Sequence, residues 1–327
     1  MIDLPKHLHG YRWLGIGRKR EDRASITKAF VAKAVYNFET MKVLIEYLKG
    51  CKNLRRLCGW ETRGDIPSES TFCHAFAEYS RGCLPQKIHE AMVKTHLRDK
   101  LVGHLSRDAT AIEARERVVK KPDDEAAMLP KRKRGRPKQG EEVVPKPPKR
   151  LDLQLCRSLE ENLKDLPYHC AVGTKIDSKG YNMIWRGYKL NIDCIVGDIP
   201  VSALLTSASL HDSQVAIPLM QMTSKRVVSL YDLMDSAYDA PQIKEFSEGF
   251  SHVLIIDPNP LRGEKIPLDP TSKARFSQRS SVERVNSYLK DNHGGIHIRI
   301  RGASKVMAHL MFGLIVITAN QLFQMLC

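Results

Sequence analysis

No two of the eight cysteines (51, 58, 73, 83, 156, 170, 194 and 327) form a CxxC pair, and no signal peptide opens the sequence. A disulfide-framed secreted scaffold is therefore excluded, and reduced thiols in the cytosol are expected. Nor do Cys51, Cys58, Cys73, His74 and Cys83 match a standard zinc spacing. Long hydrophobic runs are missing too. The apolar stretch Met311 to Ala319 falls short of the ~20 residues a membrane helix needs, and His309, Asn320 and Gln321 flank it. It reads as a core helix, and no membrane partner is expected. Acidic charge is in deficit, with 37 Asp and Glu against 52 Lys and Arg, a formal charge of +15. That balance calls for a polyanionic partner, nucleic acid ahead of a membrane surface. With 327 residues the chain can bury a substantial core and is expected to hold two domains.

Residues 1–98 read as an all-helical domain. Ile26, Phe30, Ala34, Phe38, Met41, Leu44, Ile45 and Leu48 recur at helical spacing, with room for a turn. NLRRLCGW and STFCHAFAEYS follow as shorter helices, the second capped by Ser68 or Ser70, and PQKIHEAMVKTHLRDK as a last one. Helix, loop and helix in a basic protein can dock on DNA; a plain helical bundle has the same pattern.

Residues 99–327 read as an α/β domain, interrupted at 116–150 by an insertion with six prolines and twelve Lys or Arg against six Asp or Glu. Dense proline and few apolar residues predict disorder there. Its centre, KRKRGRPK at 131–138, which includes Lys133, resembles an AT-hook with the core Arg134-Gly135-Arg136-Pro137, in which arginines follow the minor groove. A generic polycationic tether gives the same DNA contact through charge alone. From about 167, HCAVGTKIDS, MIWRGYKLNIDCIV and PVSALLTSAS read as strands separated by turns, and strand–helix alternation follows. This order predicts an α/β layer with a mixed sheet.

Near the end stands Arg279-x3-Glu283-x6-Lys290. At ~100° per residue these three side chains fall within roughly 40° of one another on a helix. Val282, Val285, Tyr288 and Leu289 occupy the adjoining apolar arc. A carboxylate in a basic stripe suits a metal ligand with cations gripping a polyanionic backbone on either side; an ordinary Arg279–Glu283 ion pair has the same spacing. Two more carboxylates stand at predicted strand ends: Asp108 after KLVGHLSR, and Asp235 after VVSLYDLM, with Asp232 and Asp239 as rivals. Three carboxylates buried together without a cation would cost several kcal/mol, and Mg²⁺ or Mn²⁺, hard ions that favour oxygen ligands, would supply the charge. The chemistry that follows is two-metal phosphoryl transfer, with two ions about 4 Å apart and Arg279 and Lys290 holding phosphates.

These residues resemble the DDE transposases of bacterial insertion sequences, the group marked by Tyr-x2-Arg-x3-Glu-x6-Lys. Its Arg, Glu and Lys fall on Arg279, Glu283 and Lys290, and Phe276 stands where the signature has Tyr. SRDATAIEARE resembles the family's first Asp segment and implies Asp108; MDSAYDA resembles the second and implies Asp235. GYKL, SLHDS, IIDPNP and RGASKVMAHLMFG also resemble family segments, and 24–100 is similar to the family's N-terminal region. The resemblance implies an RNase H-like catalytic domain behind the helical one. It further implies double-stranded DNA as partner (element ends and target), a homodimer or higher oligomer on DNA, and a bacterial, nucleoid-associated location in the cytoplasm. Other readings are a nuclease that never joins strands and a silent DNA-binding derivative. His211-Asp212 reads as a turn and helix cap, and Trp185 and Tyr188 as core residues.

Overall fold

The computed structural model describes residues 20–98, 100–119, 148–176, 180–257 and 267–326. Lys133, Arg134 and Arg136 lie outside the described residues. Five helices come first: α1 (Arg23–Val35), α2 (Met41–Gly50), α3 (Lys52–Cys58), α4 (Glu69–Arg81) and α5 (Leu84–Leu97). Side-chain caps set several starts. Asp22 accepts the amides of Ala24 and Ser25 ahead of α1, Thr40 that of Val43 ahead of α2, and Ser68 that of Thr71 ahead of α4. Each cap satisfies amides that the first helical turn leaves unbonded.

The long strand β1 (Leu101–Glu113) leads into the α/β part. Short helices α6 (Arg150–Gln154) and α7 (Leu159–Asp165) precede β2 (Ala171–Ile176), β3 (Asn182–Ile195) and β4 (Ile199–Ser207). Then come α8 (Ser213–Ser224), β5 (Val228–Met234), α9 (Pro241–Glu248), β6 (Val253–Ile256), α10 (Pro270–Phe276), α11 (Ser280–Asn292) and α12 (Ala303–Leu326). The six strands form one mixed sheet. β3 runs antiparallel to β1 along one edge; along its other edge it pairs with β4 over 188–195 and with β2 over 182–187. β5 joins β1 in parallel, and β6 joins β5 in parallel. Gly187 marks the change of partner on β3: a Cβ there would stand 2.1 Å from the Ile112 carbonyl oxygen, so only glycine admits this approach.

Two large cores flank the sheet. One joins the five N-terminal helices, through Phe30, Leu44, Phe72 and Val93, to Leu105, Ile195, Ile199 and the Ala308–Phe312 side of α12. The other packs Val282, Val285 and Leu289 of α11 and Leu310 and Leu314 of α12 on Leu190 and Ile192 of β3. α12 extends well beyond the predicted apolar stretch and is long and apolar enough to cross a membrane. Here it is the element shared by both cores. Tyr288 departs from its predicted apolar arc: it is half-exposed and meets His293 edge to face. The aliphatic side chains of α11 fill the sheet surface, and the phenol sits at their margin.

Candidate active site

Asp108 was expected at a strand end but lies inside β1, which continues five residues beyond it because β3 pairs with β1 as far as Glu113. It is the parallel partner that stops early. β1 and β5 pair through Ser106–Leu233, and two residues onward along both strands come Asp108 and Asp235. Adjacent strands run about 4.8 Å apart, so this register brings the two carboxylates side by side. Asp235 directly follows β5 and accepts the Ala237 amide at 3.0 Å, fixing the turn Ser236–Tyr238. Asp232, with opposite parity, is buried beside Ser229 (3.3 Å) and His252 (3.3 Å). Asp239 pairs with Lys244.

Glu283 lies in the first turn of α11. That helix is held close to α12 at Gly313, where a Cβ would stand 2.6 Å from Leu289 Cδ1 and 2.8 Å from the His293 carbonyl oxygen. Arg279, on the short turn Ser277–Arg279 before α11, joins the three acids. Its Nη2 lies 2.9 Å from Asp108 Oδ1 and 3.6 Å from Asp235 Oδ2, and its Nη1 lies 2.6 Å from Glu283 Oε1. Its Nε, by contrast, is buried without a partner among the described residues. The site grades from inside to outside: the side chain of Asp108 is 18% exposed, that of Asp235 37% and that of Glu283 57%. Glu283 is thus the outermost of the three acids and Asp108 the innermost.

One guanidinium against three carboxylates leaves negative charge uncompensated. Burial pushes the Asp108 carboxyl up to about 6; neighbouring Asp235 adds to the rise, and Arg279 offsets part of it. Asp235 is also raised, chiefly by burial. Among the described residues no three His, Cys, Asp or Glu side chains form a ready metal cage. The carboxylates instead surround a guanidinium. Their chemistry nevertheless fits a hard divalent ion, because they already converge on a single cation and carry more charge than it neutralises.

Two residues in the site escaped the sequence reading. Asn286 donates to Asp108 Oδ2 at 3.0 Å and fixes that carboxylate from α11; its place three residues after Glu283, on the same helical face, was the available signal. Lys175 of β2 acts electrostatically on Asp108, Asp235 and Lys290. Nothing in its local sequence marks it, because the approach of β2 is a tertiary fact. The Lys290 ammonium is depressed, first by burial and then by Lys175. Asp212 does occupy the N-cap position of α8, but its side chain pairs with Lys189 at 2.8 Å and makes no cap bond. His211 Nδ1 meets Ser213 Oγ at 2.8 Å instead. Trp185 and Tyr188 are buried, and the Trp185 indole donates to the Tyr188 carbonyl. Phe276 ends α10, which has no buried residue.

Behind the acids lies a closed ion pair. Arg107 and Asp193, both essentially buried, meet at 2.7 and 2.6 Å, and Thr223 donates to Asp193 at 2.6 Å. Arg107 precedes Asp108 and points to the other side of β1, so this pair braces the strand that carries Asp108.

Residues 179–319 match the family model described as transposase DDE domain, and residues 2–78 match the one described as Transposase domain (DUF772). The chain belongs to the DDE transposases. Comparison with curated proteins and with solved structures returned no match. The DDE match spans Asp235, Glu283, Arg279 and Lys290 and begins after Asp108. In this transposase the mixed sheet with its flanking helices is the RNase H-like layer, and a helical region precedes it. DNA is the substrate that the family implies.

Proposed function

We propose that this transposase hydrolyses DNA at the ends of its own element and joins the freed 3′-hydroxyl to target DNA, with Asp108, Asp235 and Glu283 as the catalytic carboxylates. The observation that carries the reading is the convergence of these three acids, from two strands and a helix, on one cation. They would hold two divalent ions, Mg²⁺ or Mn²⁺, which when bound supply an activated attacking oxygen and a stabilised leaving oxygen. No side-chain nucleophile is required, since water and then a 3′-hydroxyl attack. Asn286 keeps Asp108 oriented, and the bond to the Ala237 amide keeps Asp235 oriented. Lys290 and Lys175 supply point charges for the phosphates beside the scissile one.

The DNA path continues along α11 toward the N-terminal helices. There a cavity of about 520 Å³ is lined by Lys33, Phe38, His297, Arg301 and Lys305 among others. Arg301 and Lys305 have no hydrogen-bond or ion-pair partner among the described residues, so both cations are available to a phosphate backbone. The segment around Lys133, Arg134 and Arg136 adds charge to the same partner. Joining two ends requires at least two copies of the chain on DNA.

The test is cleavage of a duplex carrying the element's ends, in Mg²⁺, by wild type and by Glu283→Gln. Nicking at the ends and joined products from wild type alone are expected. Nicking without joining would indicate a nuclease. Equal activity of the two proteins would remove Glu283 from the site.

A further inference from the structure

Arg279 spans the acids in the DNA-free protein. Both of its terminal nitrogens are committed to carboxylates, at 2.9, 3.6 and 2.6 Å, and its Nε has no partner among the described residues. A guanidinium and a divalent ion compete for the same carboxylate oxygens, so Arg279, touching one oxygen of each acid, weakens ion binding there. Lys290, on the same stripe, has no ion pair among the described residues. The two cations of the stripe are thus in different states: Lys290 is free and Arg279 is engaged.

We propose that Arg279 is a resident counter-ion that closes the carboxylate cradle until a DNA phosphate draws it away, so that divalent-ion binding and DNA binding are coupled. The inference rests on the reading of Asp108, Asp235 and Glu283 as metal ligands. Three features favour the exchange. The guanidinium fork matches phosphate as well as carboxylate, so a move from one to the other keeps its charge-assisted hydrogen bonds. Departure sacrifices only the carboxylate contacts, since Nε is unpaired. The outermost contact is to Glu283, whose side chain is 57% exposed while that of Arg279 is 16% exposed. Solvent reaches the Glu283 end of this pair and screens it more than the two aspartate contacts. Once Arg279 has left, the acids repel one another and favour a divalent ion in its place. By linkage, the factor by which DNA tightens ion binding equals the factor by which the ion tightens DNA binding. The arrangement keeps the chemistry closed until DNA is seated.

The test is Mn²⁺ titration of the full chain without DNA, read by the electron paramagnetic resonance signal of free Mn²⁺. Arg279→Ala is expected to bind Mn²⁺ about tenfold more tightly than wild type, the equivalent of ~1.4 kcal/mol, and Asp235→Asn added to that variant is expected to abolish the gain. A 30-base-pair mixed-sequence duplex is expected to tighten Mn²⁺ binding by wild type and to leave Arg279→Ala unchanged. Circular dichroism on every variant ensures that folded proteins are compared. If Arg279→Ala binds no more tightly while Asp235→Asn weakens wild-type binding, the counter-ion role is overturned and the metal site stands. If Asp235→Asn affects neither protein, the metal site itself is wrong. A gain that survives Asp235→Asn lies elsewhere and overturns the proposal, and a duplex without effect on wild type overturns the hand-over to phosphate.

Discussion

Asp108 and Asp235 stand level on neighbouring parallel strands because Ser106 pairs with Leu233 two residues before them. The parity of β5 therefore distinguishes two aspartates only three residues apart. Asp235 faces Arg279, while Asp232 faces inward to Ser229 and His252.

That difference makes the two substitutions opposite in effect. Asp235→Asn is expected to lower end cleavage by about a thousandfold, the scale of several kcal/mol of transition-state stabilisation, with a melting temperature close to wild type. Asp232→Asn is expected to leave cleavage within a few-fold and to lower the melting temperature, because a buried polar network loses a charged member. Parallel cleavage assays and thermal melts decide. Full cleavage by Asp235→Asn would transfer the role to another carboxylate.

Lys175 and Lys290 make a second case. Both act on the acids electrostatically, and each should neutralise one phosphate. Lys290→Ala and Lys175→Ala are expected to flatten the slope of log K against log salt by about 0.9 apiece. Fluorescence anisotropy with labelled duplex at several salt concentrations measures this, and unchanged slopes would make both lysines ordinary surface residues.

Much of this site is legible in the amino-acid sequence. Arg279, Glu283 and Lys290 could be read from helical spacing because a helix imposes its geometry locally. Strand positions follow from runs of Val, Ile and aromatics. What escaped depends on partners distant in sequence. The extension of β1 past Asp108 comes from β3, some eighty residues later. Lys175 reaches the acids only because β2 is carried there by β3. The engagement of Arg279 with Asp108 also needs the completed fold, whereas its bond to Glu283 was already implied by a spacing of four.

Arg107 supports the site from behind. Its bidentate pair with Asp193 is fully shielded from solvent, and removing one partner leaves an uncompensated buried charge. Arg107→Met is expected to destabilise the protein by about 3–5 kcal/mol. The double variant Arg107→Met with Asp193→Leu should recover a large part of that loss, because neither charge remains. Chemical denaturation of the three variants forms the cycle. Additive losses would mean that the pair contributes little as a pair.

His89 supplies the pH dependence. It is fully buried on α5, and its Nε2 lies 3.1 Å from both the Pro200 carbonyl oxygen and the Thr318 hydroxyl, tying the N-terminal helices to β4 and α12. Its Nδ1 has no partner among the described residues, so a proton added there would be a buried charge without an acceptor. Burial, reinforced by Arg226, pushes the imidazole down from 6.5 to about 3. Between those values the unfolded chain binds a proton that the folded chain refuses. The stability associated with neutral His89 is therefore complete above pH 6.5 and is lost progressively as pH falls toward 3. Wild type is expected to lose melting temperature steadily from pH 7 to pH 5, and His89→Gln, neutral throughout, to start lower and decline less over that range. Differential scanning calorimetry across these pH values measures both curves. Parallel curves would show that another group controls the acid sensitivity of the junction between the helices and the sheet.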